Sequence, residues 1–241
     1  MSKALVKSAF TVGLLIILMA VPVYGASVNK SIKVAAGSES DGATTVNGSI
    51  SVGEGAVVTG TLKTVNGKIR VDENTTIEDA VTVNGSLGIA DGVKADNLST
   101  VNGSVSVGED CTVDGEIGTV NGRIKLEKGS KVAQDVGNVN GDIELAGSEV
   151  GGNVKTVSGN VDLSEAAVIK GDLIIEEPSM WSFGNKSSRV PEVVIGPGSA
   201  VEGTIRLERE VKLYISESAK VGGVEGEMSM SDAVRFSGDH P

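Results

Sequence analysis

The chain has 241 residues, 33 of them glycine, with aromatic residues at 2% and a formal net charge of −11. So few aromatics among so many Gly, Val, Ile and Thr residues speak against a compact enzyme core and for pleated strands broken by frequent turns. The acidic balance argues against nucleic acid and anionic lipid as partners, since both reward clustered Lys and Arg. The single cysteine, Cys111, leaves no intrachain disulfide.

Residues 1–25 read as a cleaved secretory signal. Lys3 and Lys7 form a basic start, Ala9 to Val21 an apolar run, and Val23-Tyr24-Gly25 puts small residues, Val23 and Gly25, at the two positions a signal peptidase reads. The run is shorter than the ~20 residues of a membrane span. Cleavage is expected after Gly25, so the mature chain has no membrane span and is exported to the periplasm or the extracellular space. Losing residues 1–25 removes two lysines and no acid, which takes the net charge from −11 to −13.

Residues 26–224 carry one phrase at a nearly constant step. Val46-Asn47-Gly48 recurs at Val65, Val83, Val101, Val120 and Val139, and as Val157-Ser158-Gly159; the intervals are 19, 18, 18, 19, 19 and 18 residues. A unit this short cannot bury a core alone, so neighbours must cover each other's apolar faces. Within one unit, apolar residues fall about every six positions, as at Val65, Val71, Ile77 and Val83. Three short sides per turn predict an all-β fold: a single-stranded parallel β-helix, a triangular solenoid with about 18–19 residues per coil. Parallel crossovers are right-handed by rule, with left-handed hexapeptide helices as the known exception; several seven-residue sides and two sides off the hexapeptide pattern favour the right-handed form here. Asn-Gly is also a strong hairpin signal. The flanking strands would be very short, however, and the apolar register continues across the turn, which favours a corner in a continuing coil. An equivalent of the phrase starts at Val28, with Lys30 in the Gly slot, and Ile195 to Ile205 aligns without gaps on Val52 to Leu62. About ten coils result.

Two segments break the period. Residues 176–192 replace a corner with an insertion that holds Trp181 and Phe183, a candidate partner loop because aromatics make good anchors. Residues 225–241 read as a polar C-terminal tail containing the only histidine, His240.

The segment Val193-Val194-Ile195-Gly196-Pro197-Gly198-Ser199-Ala200-Val201-Glu202-Gly203-Thr204-Ile205 resembles the bactofilins, polymer-forming cytoskeletal proteins with a right-handed triangular β-helix. The Thr-Val-Asn-Gly-x-Ile copies are similar to the putative-adhesin β-strand repeat proteins. Together these resemblances span residues 28 to 224 and imply a β-solenoid that self-associates. Bactofilins are typically cytosolic, whereas residues 1–25 here read as an export signal.

No catalytic, metal or cofactor set stands out. The coil body has no histidine, which removes the zinc and acyltransferase chemistry of hexapeptide solenoids. Asp72, Glu73, Glu109, Asp110, Glu176 and Glu177 read as solvated turn charges. Cys111 shares a slot with Ala56, Thr75, Val93, Ser130, Ala167 and Ser199, and is expected to be a small inward residue. The candidate binding face is a pair of outward rows: Thr45, Thr64, Thr82, Thr100 and Thr119, beside Asn47, Asn66, Asn84, Asn102 and Asn121. Two functional expectations follow. One is a non-enzymatic structural or adhesive element of the envelope that self-associates through coil ends. The other is a monomeric module that uses the Thr/Asn face on a glycan, another envelope component or ice.

Overall fold

In the computed structural model, the described residues are 28–178 and 190–241. They form a parallel β-solenoid of about ten turns. The one helical element among them is the 3-10 turn Met230–Asp232. Residues 1–27, with the expected cleavage site, and residues 179–189, with Trp181 and Phe183, lie outside the described residues.

Each coil has three sides. The first side stacks 11 strands, from Ile32–Val34 and Ile50–Val52 to Lys212–Ser216 and Val234–Phe236. The second side consists of two-residue strands such as Val57–Val58 and Thr76–Ile77. The third side is built from strands such as Leu62–Thr64, Ala80–Asn84, Leu98–Asn102 and Ile117–Asn121. Pairing runs parallel from coil to coil, with Ile69 beside Leu87 and Val105 beside Ile124, so each Asn-Gly is a corner and not a hairpin.

Alternation places the core. On the first side Ile50 and Val52 are fully buried while Ser51 between them faces out. Val71, Ile89, Val107 and Leu126 form one continuous inward column, as their spacing predicts. Burying such side chains is worth about 1.5–3 kcal/mol each, the main source of stability in a fold with so few aromatics. The Cys111 slot is inward as expected, with Ala56, Thr75, Val93, Ser130, Ala167 and Ser199 all buried.

Three expectations are corrected. The threonine row is not outward: Thr45, Thr64, Thr82, Thr100, Thr119 and Thr156 are all buried. Correspondingly, Val46, Val65, Val83, Val101, Val120 and Val139, expected inside, are only half-buried on the outer side of the corner. The physical reason is parity. Ala43 and Thr45 both point inward, as do Ile50 and Val52, so inward positions switch from odd to even numbers between Thr45 and Ile50. Alternation read straight across the corner inverts one side of it. Third, residues 225–241, expected as a polar tail outside the repeat, are polar but return to the stack. Lys220–Gly226 continues the stack, Val234–Phe236 pairs with Lys212–Ser216, and Met228, Met230 and Ala233 pack against the end of the core.

Candidate functional site

The repeated phrase is a joint between coils, and its four residues divide the work. Glycine comes first, because a Cβ on Gly103 would overlap the carbonyl of Gly85 one coil below; the same holds for Gly67 against Gly48 and Gly122 against Gly103. Successive corners therefore touch backbone to backbone. At four of these corners the glycine carbonyl receives its hydrogen bond from the buried threonine of the next coil, and at Gly122 the donor is Asn138 Nδ2, at 3.3 Å. Thr64 Oγ1 donates to Gly48 O at 2.8 Å, Thr82 to Gly67 at 3.0 Å, Thr100 to Gly85 at 2.9 Å and Thr119 to Gly103 at 3.0 Å. The first copy does the same with Lys30 in the glycine slot, Thr45 donating to Lys30 O at 2.8 Å. A buried carbonyl must be paired, and threonine answers with a hydroxyl while its methyl stays in the core.

Asparagine runs up the outside. Asn47 donates to Asn29, Asn66 to Asn47, Asn84 to Asn66, Asn102 to Asn84, Asn121 to Asn102 and Asn140 to Asn121, at 2.7–2.9 Å. These exposed amides bond one another along the axis, so each uses one donor and one acceptor on its neighbours. Of the candidate face, the structure thus leaves outside only Asn47, Asn66, Asn84, Asn102 and Asn121. Thr45, Thr64, Thr82, Thr100 and Thr119 belong to the core, where they hold the corner and reach no external ligand.

A second ladder, not anticipated from the sequence, stands at the corner leading into the third side. Asn97 Nδ2 donates to Asp79 Oδ1 at 2.9 Å, the Asn153 backbone N–H to Asp135 Oδ1 at 2.8 Å, that of Asp172 to Asn153 Oδ1 at 2.8 Å, and that of Thr204 to Asp172 Oδ1 at 2.9 Å. Lys155 pairs with Asp135, and Arg206 with Asp172 at 3.0 Å. The signal was present: an Asp or Asn stands just before the first inward residue of the third side at Asp79, Asn97, Asp135, Asn153 and Asp172.

Cys111 is not set up for chemistry. Its thiol donates to the Ala90 carbonyl at 3.0 Å, and burial, aided by Asp91, pushes its pKa up, away from the reactive thiolate. His240 lies with Asp142, Glu144, Asp162 and Glu192 around a shallow depression of about 440 Å³ on the first side. Among the described residues, no three or more His, Cys, Asp and Glu side chains are grouped to hold a metal ion, and no helix is long and apolar enough to cross a membrane. Comparison with protein-family models, with curated proteins and with solved structures finds no match.

Proposed function

We propose that the chain is an exported, non-enzymatic β-solenoid, a structural or adhesive element of the cell envelope that self-associates end to end. The observation that carries this reading is the difference between the two ends. In the first coil, the strands Ile32–Val34 and Glu39–Ser40 each pair on one side only among the described residues. Ile32 is only partly buried against the core. At the opposite end Lys220–Gly226 and Val234–Phe236 also pair on one side only, but there Met228, Met230 and Ala233 pack against the end of the core. An unpaired strand edge is a template for another chain, so the first coil supplies the contact. The use of the repeated Thr, Asn and Gly to join coil to coil supports a scaffold role. So do the resemblances to polymer-forming and adhesin-type repeats and the export signal read in residues 1–25.

The test is light scattering of the mature protein across ionic strength. A charge of −13 opposes contact between copies, and salt screens it over ~8–10 Å near physiological ionic strength. End-to-end association therefore strengthens with salt, and Ile32→Lys weakens it. Monomer at every salt and protein concentration overturns the reading.

A further inference from the structure

The first side carries its outward charges in two blocks. Along the register, Lys33 and Arg70 stand in the first and third coils and Lys125 in the sixth. Glu144 and Asp162 follow in the seventh and eighth. The positions two residues earlier repeat the pattern: Lys68 sits beside Arg70, Asp142 beside Glu144. Between Arg70 and Lys125, the fourth and fifth coils present only Gly88 and Ser106 on the outward row. The two blocks neutralise each other only at their junction, where Arg123 reaches Glu144 at 3.2 Å and Asp142 at 3.8 Å. Among the described residues Lys68 and Arg70 form no ion pair, although Arg70 is exposed. The acidic block is crowded with its own sign. Burial raises the Asp162 pKa, with His240 opposing and Glu144 and Glu192 adding to the rise.

We propose that two copies of this chain pair side by side through their first sides, with long axes antiparallel, about a twofold axis that runs along the strands at Ser106. This axis exchanges the third coil with the seventh and the second with the eighth, and keeps every residue in its own row. Lys68 then lies over Asp142 and Arg70 over Glu144, and symmetry makes each contact twice. The small second coil, Ser49 and Ser51, faces Asp162 and the folded-back end of the chain at His240, which needs the room. Pairing with parallel axes would instead put Arg70 over Arg70 and Glu144 over Glu144. The charge order thus selects the antiparallel arrangement. Nine coils at ~4.8 Å by a strip roughly 12 Å wide offer on the order of 500 Å² per copy, below the ~800 Å² of a standard interface. The pair is therefore weak, reversible and dependent on its charges.

Sedimentation velocity at about 20 mM and about 500 mM salt tests this, using the wild type, Arg70→Glu and Glu144→Lys. The wild type dimerises at low salt and dissociates at high salt. Each variant alone, with two contacts reversed per dimer, binds itself at least about tenfold more weakly. An equimolar mixture of the two restores the dimer, because reversed faces reversed and native faces native. Restoration also shows that both variants fold. A wild type that is monomeric at low salt, variants that dimerise as well as the wild type, or a mixture that stays monomeric overturns the proposal. Growth of the mixture beyond a dimer overturns the twofold axis. The readout is separate from end-to-end association, which strengthens with salt and responds to Ile32→Lys, whereas this pairing weakens with salt and survives Ile32→Lys.

Discussion

At the scale of the residue, Thr-Val-Asn-Gly is a set of steric and hydrogen-bonding demands, and each makes a measurable claim. Gly103 has no room for a Cβ, while an added Cβ at Gly88 meets nothing within 4 Å. Gly103→Ala should cost about 2–4 kcal/mol in urea denaturation, and Gly88→Ala should stay within about 0.5 kcal/mol of wild type. Val107 is 1% exposed and inward; Asn102 is an exposed rung of the ladder. Val107→Asp buries a carboxylate with no partner and should cost about 3–5 kcal/mol. Asn102→Ala loses its bonds to Asn84 and Asn121, each worth about 1 kcal/mol. Equal losses of melting temperature would contradict the inward and outward assignment. Asn138 occupies the threonine slot of its coil, with a buried Oδ1 that finds no partner. Asn138→Thr should remove that orphan and replace the 3.3 Å bond from Asn138 Nδ2 to Gly122 O with the shorter hydroxyl bond of the other corners, at the loss of the Nδ2 bond to Gly141 O. A gain of about 1 kcal/mol is expected, read as a rise in melting temperature.

At the scale of the element, the coil is the unit of exchange. Thr82 and Thr100 are register partners, as are Asn84 and Asn102. Deleting Val83 to Thr100 therefore joins Thr82 to Val101 and rebuilds the same corner on the coil below. The shortened protein should melt cooperatively with its circular dichroism per residue unchanged. Deleting only nine residues brings outward positions onto inward columns, and that protein should lose the transition. The strand Val234–Phe236 shows the limit of repeat reasoning. It breaks the 18- to 19-residue period, yet it finds the first side because Phe236 can bury there and the edge of Lys212–Ser216 is free to pair.

At the scale of the whole molecule, an acidic chain wound into a thin stack brings like charges near one another in successive coils. Burial raises the pKa of Glu116, and Asp135 adds to the rise while Lys155 opposes it. The sign follows: the folded protein holds this proton more tightly than the unfolded chain does. The group therefore destabilises the fold once it is ionised at pH 7, and the penalty is relieved as pH falls through the raised folded-state value. Glu116→Gln should unfold at a higher urea concentration than wild type at pH 7. The two curves should converge near pH 3, where both side chains are neutral. A constant gap at both pH values would show that ionisation is not the cause.

The coil period, the three short sides, the Cys111 slot and the column through Val107 were all legible in the sequence, because stacking demands a repeated apolar position and a repeat exposes its own spacing. The asparagine row was legible for the same reason. What the tertiary structure decided is the direction each corner residue faces. Parity along a strand says which residues share a face only while the strand continues, and the corner between Thr45 and Ile50 resets it. Only folding revealed that threonine is the buried partner of the carbonyl below, and that valine covers the corner from outside. The cover over the last coil was likewise invisible, since residues 225–241 bury few side chains and repeat nothing. The charge blocks of the first side are scattered at 18-residue intervals in the chain and become blocks only once the coils are stacked.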